Sequence, residues 1–403
     1  MSPSSRDKHF SAYQWKLFIF LSIATFFEGY DFIALSQILP HLRDEMGLEK
    51  SDGAVMYGVI NIGTIAAYLL IRRADVWGRR RVLTLTIVGY TVCTAASGFA
   101  QDPITFTVTQ LLARMFLIGE YCIAMVYAAE EFPAHKRGLV IGLMQAMASL
   151  GGVVCAGLTP LMLQSELGWR LVYFAGVFPL ILVAFARRNL KESSRFTAEV
   201  GERGVSRGLL HIWRTPSRKR VLQLSLIWGL TYFCTNTVIA FWKEYALTEA
   251  GLSDGQVGTA IMVAALGSMP LIFFAGHLMD KVGRRIGAVV IFSLTAAGAY
   301  FGYVLTDFWP LTGALMFGIF GVSATMTVLN TYGMELFPTE MRADAFAWAN
   351  NLLGRVAYVA SPMLIALFAD EYGWSATVSL TAVGPVLALV LILLGCLRPK
   401  TKT

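Results

Sequence analysis

The sequence predicts an all-α polytopic membrane protein with twelve transmembrane helices in two pseudo-symmetric six-helix bundles. Three observations support this fold class. The 403-residue chain is 56% hydrophobic and only 15% charged, which is far more apolar than a soluble domain. Apolar runs of about 20 residues recur along it, each long enough to cross a hydrocarbon core of roughly 30 Å. Polar motifs recur at one fixed spacing, which indicates that the two halves are copies of each other.

The predicted spans follow one another with short polar connections. They lie near 15–39, 54–71, 82–100, 104–128, 138–163, 170–186, 221–245, 256–277, 286–305, 309–332, 345–368 and 374–397. The polar start of the chain shows no cleavable signal pattern, and the first apolar run is too long for the hydrophobic region of a signal peptide. We predict an N-terminal bundle at 1–188, a linker at 189–219 and a C-terminal bundle at 220–403.

The net charge of +7 is distributed by membrane side rather than gathered into a patch for nucleic acid. If the N-terminus is cytoplasmic, the inner loops and tails hold 27 of the 33 Lys and Arg residues. An excess of Lys and Arg on the cytoplasmic side is the positive-inside rule. We therefore predict a multi-pass protein of the cell membrane with both termini in the cytoplasm and with no nucleic-acid partner.

Motifs for catalysis or metal binding are missing from the sequence. The five cysteines all fall within apolar runs, where a free cysteine behaves as a small hydrophobic residue. The sequence contains no zinc motif, phosphate-binding loop or nucleophile elbow. We predict a protein that is not an enzyme and that uses no metal or cofactor. We also expect a monomer.

Two pairs of charged motifs carry the internal repeat, and the copies are 205 residues apart. The matched residues are Asp75 and Arg79 with Asp280 and Arg284, and Glu130 and Arg137 with Glu335 and Arg342. All eight lie on the predicted inner side, and we call them the inner gate. An aspartate beside arginines at a helix end can pair with the neighbouring bundle when the inner side is closed. Such half-exposed pairs are individually weak, which suits two states of similar energy. A role only in fixing topology is the alternative.

Several motifs give the sequence a family resemblance. The segment from Gly276 to Arg285 reads Gly-x-x-x-Asp-Lys-x-Gly-Arg-Arg. Others are GYD at 29–31, GWR at 168–170, LKESSRF at 190–196 and GRVAYVASP at 354–362. With these motifs the chain resembles the major facilitator superfamily over nearly its whole length. Within it, the chain is similar to the branch of sugar porters, aromatic-acid/proton symporters and organic anion and cation transporters. The resemblance implies two six-helix halves with the substrate bound between them at mid-membrane.

The first copy of the loop motif departs from the family pattern. Ile71 stands where glycine is usual, and Val76 stands where arginine is usual. We therefore expect Asp75 to matter less for gating than Asp280.

Charged residues inside predicted spans are costly and are therefore functional candidates. Span 1 carries Glu28 and Asp31, which are three positions apart and share a face, and span 4 carries Arg114 and Glu120. The resemblance matches Asp31 and Arg114 to the span 1 aspartate and span 4 arginine of proton-coupled sugar porters. A nearby arginine favours a charged carboxylate, whereas its withdrawal in dry surroundings favours protonation. We predict that these four residues couple transport to protons, with either span 1 acid as the titrating group. A permanent ion pair is the alternative.

A second set of polar and aromatic residues is predicted to contact the substrate. It comprises Arg355, Tyr232, Asn236, Trp228 and Asn351. Arg355 lies near the middle of span 11, where a guanidinium needs a carboxylate from elsewhere or an anionic ligand. The resemblance places it at the position of the span 11 arginine of organic anion transporters. The alternative for Arg355 is a structural pairing with acids of span 1 or span 7 or with backbone carbonyls, and for the aromatic residues of span 7 it is packing. Lys243 and Glu244 are expected at the outer rim.

Together these residues predict a secondary active transporter that works by alternating access. The favoured function is proton-coupled symport of a small organic anion, aromatic anions included, because Arg114 and Arg355 favour a negative ligand. One alternative is a proton-coupled efflux antiporter for amphipathic or cationic drugs, held by Glu28, Asp31 and Glu120. Another is a ligand sensor with a transporter fold but no transport. The expected partners are a small-molecule substrate, protons and the lipid bilayer.

Overall fold

A computed structural model describes residues 10–186, 209–337 and 339–394, and no β-strand occurs within these ranges. The N-terminal half comprises α1 (Ala12–Met46), α2 (Lys50–Trp77), α3 (Arg79–Gly98), α4 (Pro103–Glu131), α5 (Ala134–Met162) and α6 (Arg170–Ala186). A 3-10 helix, Leu209–Arg214, precedes the C-terminal half. That half comprises α7 (Arg218–Thr248), α8 (Asp254–Val282), α9 (Arg284–Phe301), α10 (Phe308–Leu336), α11 (Thr339–Phe346), α12 (Arg355–Ser379) and α13 (Val383–Leu393).

Spans 11 and 12 are each built from more than one helical element. In span 11, α11 continues through a π-helix, Ala347–Gly354, into α12. Gly373 interrupts α12 with a φ of 76°, a conformation that a residue without Cβ adopts readily. Span 12 follows this break and continues into α13. The interruption falls between the two spans that the sequence predicts.

The lengths of the helices fit a membrane protein. Eight described helical segments are long and apolar enough to cross a bilayer, and the one at Asp344–Leu393 contains spans 11 and 12. The apolar helix Arg170–Ile181 is shorter. The remaining spans, α3 and α9, have 20 and 18 residues and begin with arginines, which shortens their apolar stretch. Each of the twelve predicted spans is helical in the part of the chain that the structure describes, so the predicted fold class is confirmed.

The two halves meet along helix pairs that respect the internal repeat. Span 2 packs against span 11, and span 5 packs against span 8. These two pairs are equivalent when the halves are exchanged, because spans 2 and 5 correspond to spans 8 and 11. A further contact, between α1 and α7, joins a helix to its own counterpart. The sequence repeat is therefore a structural pseudo-symmetry. The predicted linker at 189–219 lies mostly outside the described residues, and the domain boundaries stay a prediction.

Glycines let α1 and α5 pack backbone against backbone beside the centre of the molecule. A Cβ added to Gly151 of α5 would lie 1.9 Å from the carbonyl oxygen of Phe26 in α1. A Cβ added to Gly29 of α1 would lie equally close, 1.9 Å, to the carbonyl oxygen of Ala148. Small residues at such crossings are characteristic of membrane helices, where close packing replaces the hydrophobic effect.

We expect Gly151→Ala to destabilise the protein, because the obstructing atom belongs to the backbone and cannot rotate away. Overpacking of this kind costs about 1–3 kcal/mol. The thermal midpoint of the detergent-purified variant should fall, measured by loss of monodisperse protein on heating. Gly142→Ala is the matched control, since a Cβ at Gly142 meets no atom within 4 Å. Equal midpoints for the two variants would contradict the close α1–α5 contact.

Candidate functional site

A cavity of about 400 Å³ lies between the two halves of the molecule. Its walls come from α1, α4 and α5 on one side and from α7, α8 and α10 on the other. The lining is mostly apolar, with rings from Phe32, Tyr121 and Trp242. Its polar residues are Glu28, Ser36, Gln37, Tyr121, Gln145, Ser149, Lys243, Ser268 and Ser323. A volume of this order and a mostly apolar wall with a few polar groups are typical of small-molecule sites.

Among the described residues that line the cavity, one is acidic, Glu28, and one is basic, Lys243. Both residues are buried, with 3% and 1% of their surface exposed. We call the ends at Met46 of α1 and Thr248 of α7 outer, because the charge distribution predicts them on the outside. At ~1.5 Å per residue, Glu28 lies roughly 27 Å along α1 from that end, and Lys243 lies roughly 8 Å from the outer end of α7. The two charges therefore lie at different depths, with Glu28 near mid-membrane and Lys243 close to the outer end. Lys243 and Glu244 were predicted at the outer rim, and they do lie at that end, but both are buried.

The Lys243 ammonium belongs to a small charged cluster. Its Nζ lies 2.8 Å from Oδ1 of Asp254, the first residue of α8. The same carboxylate oxygen lies 3.2 Å from Nε2 of His41 in α1. Asp254 therefore links a residue of the cavity wall to a residue of the opposite half.

Further ion pairs join the two halves at this outer end. Nε of Arg43 in α1 lies 2.5 Å from Oε1 of Glu244 in α7. Nζ of Lys50 in α2 lies 3.3 Å from Oε1 of Glu249, which also accepts the backbone N–H of Trp374 at 2.6 Å. We use the name outer latch for the three cross-half pairs His41–Asp254, Arg43–Glu244 and Lys50–Glu249. In this structure the outer latch closes the end of the molecule that the charge distribution assigns to the outside.

Asp31 faces the interior of the N-terminal half. Its Oδ2 accepts hydrogen bonds from the hydroxyl groups of Tyr90 and of Thr94, the latter at 3.2 Å, and both donors lie on α3. Its other oxygen, Oδ1, lies 3.5 Å from the position of a Cβ on Gly176 in α6. Asp31 is therefore buried among spans 1, 3 and 6 rather than in the cavity wall.

Arg114 is buried next to this carboxylate, as the sequence predicts. It interacts electrostatically with Asp31, and its guanidinium carbon lies 4.9 Å from the ring centroid of Phe32. Among the described residues, Nη1 and Nη2 of Arg114 have no hydrogen-bond partner. Phe32 lines the cavity, so it lies between the cavity and a buried arginine.

Glu120 is placed differently from the other predicted coupling residues. Its Oε2 accepts a hydrogen bond from the hydroxyl group of Thr86 in α3 at 2.5 Å. Glu120 is buried, and it is not part of the cavity wall. The structure thus brings Asp31 and Arg114 together and places Glu28 in the cavity, whereas Glu120 contacts α3.

The predicted substrate residues of spans 7 and 11 contact one another. The Tyr232 hydroxyl donates to Oδ1 of Asn350 at 2.6 Å, and Nδ2 of Asn236 donates to the carbonyl oxygen of Tyr358 at 2.8 Å. The rings of Trp228 and Tyr232 lie 5.1 Å apart. The asparagine that contacts Tyr232 is therefore Asn350, whereas the sequence analysis named its neighbour Asn351.

Arg355 completes this group. Its guanidinium carbon lies 5.8 Å from the ring of Tyr232 and 5.5 Å from the ring of Tyr358. It follows the π-helix directly, and such segments frequently occur at functional sites. None of the five predicted substrate residues lines the described cavity. Their role in substrate binding therefore stays a prediction.

The inner gate is described only in part. Nη2 of Arg79 lies 3.3 Å from Oε1 of Glu130, so this pair joins α3 to α4 within one half. Arg284 begins α9. The side chains of Asp75, Arg137, Asp280, Glu335 and Arg342 lie outside those that the structure describes, and the gate stays a prediction.

Sequence reasoning missed several residues of the cavity wall. Gln145 donates a hydrogen bond to the hydroxyl group of Tyr121, which joins α5 to α4 beside Glu28. Gln37 and Lys243 line the outer part of the cavity. The charges of Glu28 and Lys243 inside predicted spans were the signals that pointed to this wall.

Comparisons with known proteins agree with the geometry. A family model described as Major Facilitator Superfamily matches residues 21–362 and 224–403. The probable 4-methylmuconolactone transporter of Cupriavidus pinatubonensis is 28% identical over 335 residues, covering 81% of this chain and 77% of that protein. The gallate transporter of Pseudomonas putida is 26% identical over 384 residues, covering 85% and 83%. The crystal structure of a D-xylose-proton symporter has a TM-score of 0.75 at 18% identity, covering 97% of this chain and 99% of that one.

The family match extends across both halves, and the relatives named above cover most of the chain. The predicted resemblance is therefore confirmed. Repeated six-helix halves, with a cavity between them, are the architecture in which alternating access takes place. The chain belongs to the Major Facilitator Superfamily of membrane transporters.

Proposed function

We propose that the protein is a proton-coupled symporter of small organic anions, aromatic carboxylates included. The observation that carries this proposal is the cavity between the halves, in which the ammonium group of Lys243 accompanies a mostly apolar wall with three aromatic rings. An apolar wall suits a planar carbon skeleton, and a buried ammonium group suits a carboxylate. One of the relatives is a gallate transporter, and gallate is a small aromatic carboxylate.

Proton coupling is assigned to Asp31 and Arg114. Asp31 is buried beside neutral hydroxyl donors, and Arg114 is its basic neighbour. A movement that changes their separation would change the preference of Asp31 for its charged form. Asp31 lies on the same helix as Glu28 and Phe32 of the cavity wall. A movement of α1 would therefore affect both the Asp31–Arg114 pair and the cavity. We further propose a monomer in the cell membrane with both termini in the cytoplasm.

Glu28 supports a second candidate function. A carboxylate in the cavity wall would attract an amphipathic cation, and its neutralisation by a proton would release that cation. This arrangement would suit an efflux antiporter. The two candidates differ in the charge of the ligand and in the direction of its movement relative to protons.

Uptake into proteoliposomes separates the candidates. With an acidic exterior and a more alkaline lumen, we expect labelled gallate to accumulate above equilibrium and an uncoupler to abolish the accumulation. Under the opposite gradient the internal concentration of gallate should stay below the external one, because the coupled proton then moves outward. If an outward proton gradient drives uptake of an amphipathic cation such as tetraphenylphosphonium above that of protein-free liposomes, and gallate is not taken up, the protein is the antiporter instead. Binding of gallate without uptake under either gradient would indicate a sensor.

A further inference from the structure

We infer that Lys243 is the group that binds the substrate carboxylate, and that it does so by exchanging Asp254 for the substrate. This inference rests on the proposed function, because it requires an organic anion in the cavity. It assigns the anionic end of the ligand to the outer end of the cavity. It thereby identifies a specificity-determining residue outside the group around Arg355.

The position of Lys243 is the first argument. Among the described residues that line the cavity, Lys243 is the one with a basic side chain. It is 1% exposed, so its charge is shielded from bulk water. A buried ammonium group is costly unless it is paired. A ligand carboxylate in the cavity can provide that pairing without leaving the protein interior.

The contacts of the ammonium group are the second argument. Nζ lies 2.8 Å from Oδ1 of Asp254, a contact that occupies one of its hydrogens; among the described residues no other side chain pairs with it. An ammonium group has three hydrogens to donate. Lys243 therefore has donor capacity left for a second oxygen.

The third argument is that Asp254 does not depend on Lys243 alone. The same Oδ1 lies 3.2 Å from Nε2 of His41, and Asp254 occupies the first turn of α8, where the helix dipole favours a negative charge. Asp254 can therefore lose Lys243 and remain stabilised. A substrate carboxylate has an apolar wall behind it, so it gains more from the ammonium group than Asp254 does.

The apolar wall sets the orientation of the ligand. Trp242 precedes Lys243 on α7, and Phe32 and Tyr121 line the cavity further in, towards Glu28. A ligand whose carboxylate is at Lys243 would direct its ring towards these aromatic side chains. Glu28 lies near mid-membrane, roughly 19 Å deeper along the helices than Lys243, so a ligand as short as gallate held at Lys243 does not reach it.

Binding of gallate and of its uncharged methyl ester to purified protein tests the inference. The native protein should bind gallate at least about 10-fold more tightly than the ester, as expected for a hydrogen-bonded charge pair. In Lys243→Met that preference should disappear, with ester binding unchanged. Lys243→Arg should retain part of it. Lys16→Met is the matched control, since Lys16 is exposed at the inner end of α1 and should leave the preference intact.

Asp254→Asn gives an independent test, in which the affinity for gallate should rise rather than fall. It removes the competing carboxylate, so gallate should bind about 3- to 10-fold more tightly while ester binding stays the same. This test remains available if Lys243→Met does not fold. A permanent structural pair predicts weaker or unchanged gallate binding in Asp254→Asn, and that result would overturn the exchange.

The outcomes separate the inference from the proposed function. If the native protein binds neither gallate nor the ester, or binds both equally, the organic-anion function fails. If the native protein prefers gallate and Lys243→Met keeps that preference, the function stands and Lys243 is not the carboxylate site.

Discussion

Proteoliposomes that carry Asp31→Asn are expected to lose proton-driven accumulation of gallate completely, while exchange of external for internal gallate continues. Net symport moves a proton with each anion, whereas exchange of one anion for another needs no net movement of protons. Asparagine keeps the size of the side chain and can still accept a hydrogen bond from Tyr90 or Thr94. It cannot take up a proton. The variant should therefore fold and bind, but it should no longer respond to the gradient.

The magnitude of this effect follows from the gradient. One pH unit is worth about 1.4 kcal/mol per proton, which supports roughly a tenfold accumulation. The ratio of internal to external gallate should thus be about ten for the native protein and no more than about one for Asp31→Asn. Glu120→Gln is the matched control, because Glu120 bonds to Thr86 and does not line the cavity. It should keep most of the accumulation.

Glu28→Gln decides between the two acids of span 1. If Asp31 carries the proton, the Glu28→Gln variant should still accumulate gallate. If instead Asp31→Asn accumulates gallate normally and Glu28→Gln does not, the proton site is in the cavity wall. Normal accumulation by both variants would exclude span 1 from coupling.

Much of the fold could be predicted from the sequence because it depends on one-dimensional signals. Apolar run length gives the spans, and the fixed spacing between Asp75 and Asp280 gives the duplication. The break between spans 11 and 12 at Gly373 follows from the same hydropathy pattern. In a bilayer every helix must satisfy its own backbone hydrogen bonds. Local sequence therefore determines secondary structure more strictly here than in a soluble protein.

The site was harder to predict because it depends on which helix each face meets. Trp228, Tyr232 and Asn236 share one face of span 7, as predicted, but span 11 covers that face through Asn350 and Tyr358. Helical periodicity identifies a polar face without saying whether it meets a cavity or another helix. Charge gave a better guide than periodicity. Asp31 and Arg114 were predicted as neighbours, and the structure places them within electrostatic reach of each other.

Lys243 shows the limit of depth estimates. Its position near the end of an apolar run suggested the rim, where a lysine reaches water. In the structure, Asp254 of α8 and His41 of α1 surround that end of α7 and bury it. The closure of the outer end depends on contacts between the two halves. It cannot be predicted from the sequence of either half alone.

The second large effect is expected at the outer latch, where Glu244→Gln should expose the cavity to the outside. The Arg43–Glu244 pair joins the two halves at 2.5 Å, and its side chains are 9% and 1% exposed. Arg43 is also packed against the start of α2, since a Cβ on Gly53 would lie 2.5 Å from its side chain. Removal of one partner of a buried ion pair costs about 3–5 kcal/mol. The two states of a transporter differ by only a few kcal/mol, so this loss should favour the state in which the latch is open.

The measurement is the labelling rate of Gln37→Cys by a membrane-impermeant thiol reagent in intact cells, with the five native cysteines replaced. Gln37 lines the cavity and is 4% exposed. Glu244→Gln should raise the rate about 10-fold or more, as a shift of more than 1.4 kcal/mol requires. Glu45→Gln is the matched control. It breaks an ion pair with Arg170 at the same end, but that pair lies within the N-terminal half and is more exposed.

The double variant Arg43→Met/Glu244→Met tests whether the outer end opens because Arg43 is left without a partner or because the pair itself is lost. A buried ion pair replaced by apolar side chains is often as stable as the original, because no charge is left without a partner. The double variant should therefore label more slowly than Glu244→Gln, close to the native rate. If both variants label equally fast, the charge pair itself holds the outer end closed. If Glu244→Gln labels at the native rate, Arg43 and Glu244 do not control access to the cavity.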